Sequence, residues 1–128
     1  MKHFTILFIA LMISCTVSNE AELYGAWKYV SGSYGSNDSI NKATSDDINS
    51  IKIYTDNRYS VITQITAEDD FFAHSGSYSL EGDTYTEFFK LHTNPDMVGK
   101  SATFEYELRN KQLIISSDFM QEIWEKIE

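Results

Sequence analysis

Cysteine occurs once in this chain, at Cys15, and proline once, at Pro95. A lone thiol excludes an internal disulfide, and no Cys/His spacing of a metal site accompanies it. One proline and six glycines leave no room for a Pro-rich linker or a collagen-like segment. Positive charge is scarce too: ten Lys and Arg face nineteen Asp and Glu, for a net charge of −9. Phosphate backbones and anionic headgroups repel such a domain, which removes nucleic acid from its partners. No repeat longer than a strand recurs. The chain also lacks a nucleophile elbow, a P-loop and a Gly-rich dinucleotide loop, so neither enzymatic activity nor a cofactor is expected.

What the chain has in quantity is aromatic rings. Eight Tyr, eight Phe and two Trp among 128 residues can build the core of one domain.

The apolar run from Phe4 to Ile13 follows Lys2 and His3 and is broken only by Thr5. It is too short to cross a bilayer as a helix and has the shape of a secretory signal. Its end, Leu11-Met12-Ile13-Ser14-Cys15, resembles the lipobox of bacterial lipoproteins, with Met12 where leucine is usual. The resemblance implies a signal peptide over residues 1–14, lipidation of Cys15 and a polar tether over residues 15–22. The protein would then be lipid-anchored in the cell envelope, at the outer membrane, touching the membrane through its anchor only. An ordinary signal peptide with an incidental cysteine is the alternative.

Residues 23–128 read as the folded domain. The clearest unit spans residues 76–91, where Tyr78 and Leu80 alternate with serines, Glu81-Gly82-Asp83 breaks the run, and alternation resumes through Tyr85, Glu87, Phe89 and Leu91. A period of two on both sides of a Gly/Asp turn predicts a β-hairpin. Further strands are predicted over residues 23–31, 51–54, 58–66, 101–109, 112–117 and 121–127. Residues 32–49, rich in Ser, Asn, Asp and Gly, read as a long loop. About eight short strands and no helix predict an all-β, antiparallel up-and-down barrel. Alternate connections then fall at the same end. The longer ones carry Phe71, Phe72, Met97, Val98, Phe119 and Met120 and describe an open mouth, while tight turns and both termini lie at a closed base.

Gly25-Ala26-Trp27 resembles the G-x-W motif of lipocalins and related calycins, in which the tryptophan plugs the barrel base under a basic side chain. Lys126 takes that role here, where lipocalins use arginine. The stretches G-S-Y-S-L-E-G-D-T-Y-T-E (residues 76–87), N-P-D-M-V-G-K-S-A-T-F-E-Y-E-L (94–108) and E-I-W-E-K-I (122–127) are similar to a family of small lipocalin-like envelope proteins of Gram-negative bacteria without assigned activity. The resemblance implies a lipocalin-like fold and says little about chemistry.

Candidate ligand-binding residues are Tyr29, Tyr78, Tyr85, Glu87, Phe89, Phe104 and Tyr106. Glu87 shares the apolar face of its strand, where a carboxylate is costly unless hydrogen-bonded and its pKa is expected to rise. It is a polar handle for a ligand, part of a Glu–Tyr network through Tyr29, Tyr78 or Tyr106, or an outward residue. Glu122, Trp124 and Lys126 oppose Ile123 and Ile127 on the last strand, and the resemblance favours Trp124 inward. His74 and His92 either flank the mouth with Asp69 and Asp70 as a metal site or are two surface histidines at strand ends. Asp38-Ser39-Ile40 and Asn37-Asp38-Ser39 match short glycosylation motifs that recur by chance. Two functions follow: binding of a small hydrophobic or amphipathic ligand in a barrel pocket, or a protein-interaction or inhibitor module acting through the apolar loops at the open end.

Overall fold

The computed structural model describes residues 19–128, so the proposed signal peptide, Cys15 and the first part of the tether lie outside the described residues. A short helix α1 (Asn19–Leu23) precedes nine strands: β1 (Gly25–Ser36), β2 (Ser39–Thr44), β3 (Ile48–Tyr54), β4 (Arg58–Ile65), β5 (Asp70–Glu81), β6 (Thr84–His92), β7 (Ser101–Arg109), β8 (Gln112–Ser117) and β9 (Met120–Lys126). Each pairs antiparallel with the next from β3 to β9, and β9 returns to β1 through Trp27↔Lys126 and Tyr29↔Trp124. The result is a closed eight-stranded antiparallel barrel plus one extra strand, β2. Closure gives each of the eight wall strands a neighbour on both sides.

Residues 32–49 are not a loop. β1 runs on to Ser36 and turns back as β2, forming a hairpin from Ser36↔Ser39 to Ser31↔Thr44. β2 and β3 share one edge of β1, the lower half going to β3 (Gly25↔Tyr54 to Lys28↔Ile51) and the upper half to β2. Polar residues and glycines hid this hairpin, because β2 buries almost nothing and so shows no alternation. At the other end of β1 the chain is helical over residues 19–23, so the expected tether is in part helix α1, and Leu23 is buried.

The tight turns do gather at one end. Thr55-Asp56-Asn57, Gly82-Asp83 and Asn110-Lys111 close the hairpins there. Asn110 and Lys111 take φ of 50° and 62°, the left-handed pair a two-residue hairpin needs. Trp27 plugs this base, its Nε1 donating to Leu23 O at 2.7 Å. Lys126 Nζ stands 5.7 Å from the Trp27 ring centroid and donates to Glu22 O at 3.0 Å. The opposite end carries the β2 arm and the longer connections, including short 3₁₀ turns at Thr66–Glu68 and Pro95–Met97.

Two irregularities reset which side chains face inward. On β5 and β6 the register shifts between Ser75 and Gly76, so that Ser75 faces Leu91 while Gly76 faces Phe89. Leu91, expected inward with Tyr85, Glu87 and Phe89, is therefore turned out and exposed. Gly76 is obligatory at this bulge, since a Cβ there would collide with the Phe88 carbonyl. On β1 a shift between Tyr29 and Ser31 brings Gly32 and Tyr34 inward after Trp27 and Tyr29. Phe71 and Phe72, expected in a loop, lie within β5.

Candidate functional site

The inward faces of β3 and β4 form a ladder of four rungs from base to mouth: Tyr54↔Tyr59, Lys52↔Val61, Ser50↔Thr63 and Ile48↔Ile65. The lowest rungs are packed solid. Tyr54 and Tyr85 exchange a 2.9 Å hydrogen bond, and Tyr54 meets Tyr78 edge-on at 5.2 Å. Above them the barrel holds a cavity of about 420 Å³. Ile48, Ile65 and Phe72 line its upper part, Ser50 and Thr63 its middle, and Lys52, Glu87 and Trp124 its depth.

At that depth lies a buried ion pair. Lys52 Nζ reaches across from β3 to Glu87 Oε1 on β6 at 2.8 Å, and both side chains are almost fully buried. Tyr85 Oη donates to the same carboxylate oxygen at 2.6 Å. Burial is the largest single influence and opposes both charges, but the surrounding charges and hydrogen bonds together outweigh it: the Lys52 ammonium is held above its ordinary range and the Glu87 carboxyl below. The expected rise in the Glu87 pKa is thus reversed, because its partners are Lys52 and Tyr85 rather than Tyr29, Tyr78 or Tyr106. Lys52 Nζ also lies 5.0 Å from the Trp124 ring centroid and 5.9 Å from those of Tyr54 and Tyr85.

A second polar group runs along β1 and β9. Tyr29 Oη and Tyr34 Oη are 2.8 Å apart, and Tyr34 Oη donates to Glu122 Oε2 at 3.3 Å. Burial, and behind it Glu87, raises the Glu122 carboxyl pKa, with Lys52 pulling the other way. Trp124 Nε1 is a buried N–H without an acceptor among the described residues. Its ring meets Tyr29 edge-on at 5.4 Å.

His74 and His92 are both half-buried and pair across β5 and β6. Their rings stack at 5.0 Å, His74 Nδ1 bonds Tyr59 Oη at 2.8 Å, and His92 Nδ1 accepts from Asn94 N at 2.9 Å. His74 lines the cavity, and burial lowers its pKa to about 4, aided by Lys52 and His92 against the pull of Glu87. Among the described residues, no cluster of three or more His, Cys, Asp or Glu side chains is placed to hold a metal.

Of the seven expected ligand residues, Tyr29, Glu87, Phe89 and Phe104 line the cavity. Tyr85 lies beneath it as the donor to Glu87, and Tyr78 points to the base, its Oη donating to Thr55 O at 2.6 Å. Tyr106 is partly buried against the core and outside the cavity lining. The cavity also uses Lys52, Glu122, Tyr34 and His74, which the expected set omits. Lys52 was hidden by Ile51 and Ile53, whose side chains suggest the opposite inward face. The Tyr59–Val61–Thr63 alternation opposite was the available signal.

A profile for a domain of unknown function, DUF4488, matches residues 22–128. The chain belongs to that family. Among solved structures, the DUF4488 domain resembles a lipocalin-like protein from Bacteroides uniformis at 18% identity and a TM-score of 0.59, over 83% of this chain and 99% of that one. An uncharacterized protein from Bacteroides eggerthii matches at 12% identity and a TM-score of 0.58, over 82% and 99% of the two chains. These likenesses establish a lipocalin-like barrel for this DUF4488 chain. No curated protein matches it.

Two predictions follow from the DUF4488 cavity. Lys52→Met or Glu87→Leu alone strands a buried charge and is expected to cost about 3–5 kcal/mol in urea unfolding, while the double variant costs less than either. A double variant as unstable as the sum of the singles would contradict this. His74, lowered from its ordinary value of 6.5, favours the fold when neutral, so its contribution is complete above pH 6.5 and drains as pH falls toward 4. Unfolding free energy should drop by about 2 kcal/mol over that window, after allowance for solvent reach, and His74→Phe should flatten the profile there. Glu87, facing His74 with Lys52, His92 and Tyr59, has its pKa depressed, so its own contribution is lost as pH falls through that lowered value.

Proposed function

We propose that this protein binds a small hydrophobic or amphipathic molecule in its barrel, as a binding protein rather than an enzyme. The cavity of about 420 Å³ carries this reading. It falls within the ~300–1,000 Å³ of small-molecule sites and pairs apolar walls with a few convergent polar groups. Barrels of this strand number are often filled by side chains, so an interior left open above a solid floor calls for an occupant. The lipocalin-like fold supports the reading by analogy.

The same proposal places the protein in the cell envelope, lipid-anchored through Cys15 at the outer membrane. Its support is the lipobox-like sequence Leu11–Cys15. Because β1 starts and β9 ends at the base, such an anchor would hold the base toward the bilayer and leave the mouth facing away. Cys15→Ala should move the protein from the membrane to the soluble fraction; retention in the membrane would refute the anchor.

Exposed Phe71, Val98 and Phe119, at 60%, 49% and 68% exposure, support a second reading in which the apolar groups at the mouth end engage a protein. One experiment separates the two. Native mass spectrometry of the purified protein should show a bound mass that organic extraction removes, and Ile65→Trp, narrowing the mouth, should reduce its retention. No bound mass, together with no displacement of an apolar dye by added amphiphiles, would leave only the second reading.

A further inference from the structure

The ionisable side chains lining the cavity are Lys52, His74, Glu87 and Glu122, with the phenols Tyr29 and Tyr34. Lys52 and Glu87 neutralise one another at 2.8 Å, and His74, lowered to about 4, is neutral near pH 7. Glu122 has no cation within ion-pair distance among the described residues, and the hydrogen bond it accepts from Tyr34 is a long 3.3 Å. The lining therefore carries one carboxylate more than it can pair. Burial raises the pKa of that group against the more distant pull of Lys52.

The surroundings of Glu122 suit one kind of counter-ion. Across the β1–β9 ladder it faces Gly32, whose missing side chain leaves the place beside the carboxylate to the Tyr29 and Tyr34 hydroxyls. A Cβ at Gly32 would run into the hydroxyls of Tyr29 and Tyr34. Tyr29 and Tyr34 are the nearest rings on β1, the Trp124 ring on β9 already carries the Lys52 ammonium 5.0 Å from its centroid, and Phe104 lines the same cavity. Aromatic faces beside a carboxylate are the general means of holding an ammonium group. A carboxylate ligand would find Lys52 already taken and meet Glu87 and Glu122 as like charges. The net charge of −9 adds a long-range field of the same preference.

We infer that the cavity takes a cationic amphiphile, its protonated amine beside Glu122 and the phenols of Tyr29 and Tyr34, on the side away from Lys52, and its apolar body toward Ile48, Ile65 and Phe72. This rests on the pocket reading above. The test compares decylammonium, decanol and decanoate, which share a chain and differ in the head, by displacement of a neutral apolar dye at pH 7. The amine should bind at least tenfold more tightly than the alcohol, and the acid more weakly than the alcohol. In Glu122→Gln the amine-to-alcohol ratio should fall close to one. Equal binding of amine and alcohol to the wild type, or tightest binding of the acid, overturns the inference while leaving the pocket in place. So does an amine preference that survives in Glu122→Gln, which would mark adsorption to the acidic surface. These wild-type comparisons stand even where the variant folds poorly. Dye displacement by none of the three overturns the pocket reading and this inference with it.

Discussion

The contact between Lys52 and Glu87 governs how the barrel interior is divided. It joins β3 to β6 across the inside, with two strands between them in the wall, so it cannot form unless the sheet is closed and in register. Taking two charges out of water is expensive, and a short ion pair offsets that cost only when further hydrogen bonds complete it. Tyr85 supplies one from below. The pair thereby rests on the tyrosine layer that fills the base and leaves its other side to the cavity.

The same pair explains an arrangement that hydrophobicity alone would disfavour. Ile53 and Ile62 are turned to solvent at 49% and 61% exposure, while Lys52, Ser50 and Thr63 face inward. A slip of β3 by one residue would bury Ile51 and Ile53 and expel Lys52. That alternative also expels Tyr54 and Ile48, abandons Glu87 without a counter-ion and leaves Ser50 Oγ without Thr63, 2.8 Å away. Specific polar partners, together with the buried Tyr54, hold this register.

How far the sequence reveals this follows from the same physics. The hairpin over residues 76–91, the strands of the second half and the separation of tight turns from longer loops were legible, because alternation with aromatic residues is strong there. The β1–β2 arm was not, since a strand that buries neither face has no period to read. Leu91 was misplaced because a bulge changes parity without a mark beyond one glycine, Gly76. At the site, Glu87 stood out as a lone charge on an apolar face. Its partner Lys52 did not, because Ile51 and Ile53 flank it and a single strand cannot say which face is inward. Only the closed sheet pairs residues 35 positions apart.

A barrel this narrow has space for a cavity because side-chain size falls from base to mouth. Going up the β3–β4 ladder, two tyrosines give way to a lysine and a valine, then to a serine and a threonine, and only the rim returns to isoleucine. On the β1–β9 side Trp27 and Lys126 fill the base, Tyr29 and Trp124 the next level, and Gly32 with Glu122 the level above. Just above the ion pair the β3–β4 wall thins to a serine and a threonine, while on the other wall the Tyr29 and Tyr34 hydroxyls fill the place over Gly32. The Ser50–Thr63 hydroxyl pair faces that space from one wall, and Glu122 faces it from the other. The hydroxyls satisfy each other, whereas the carboxylate has a long hydrogen bond from Tyr34 and no ion pair among the described residues. The interior is thus graded in size and asymmetric in charge, and the unpaired charge lies at the level where the packing opens.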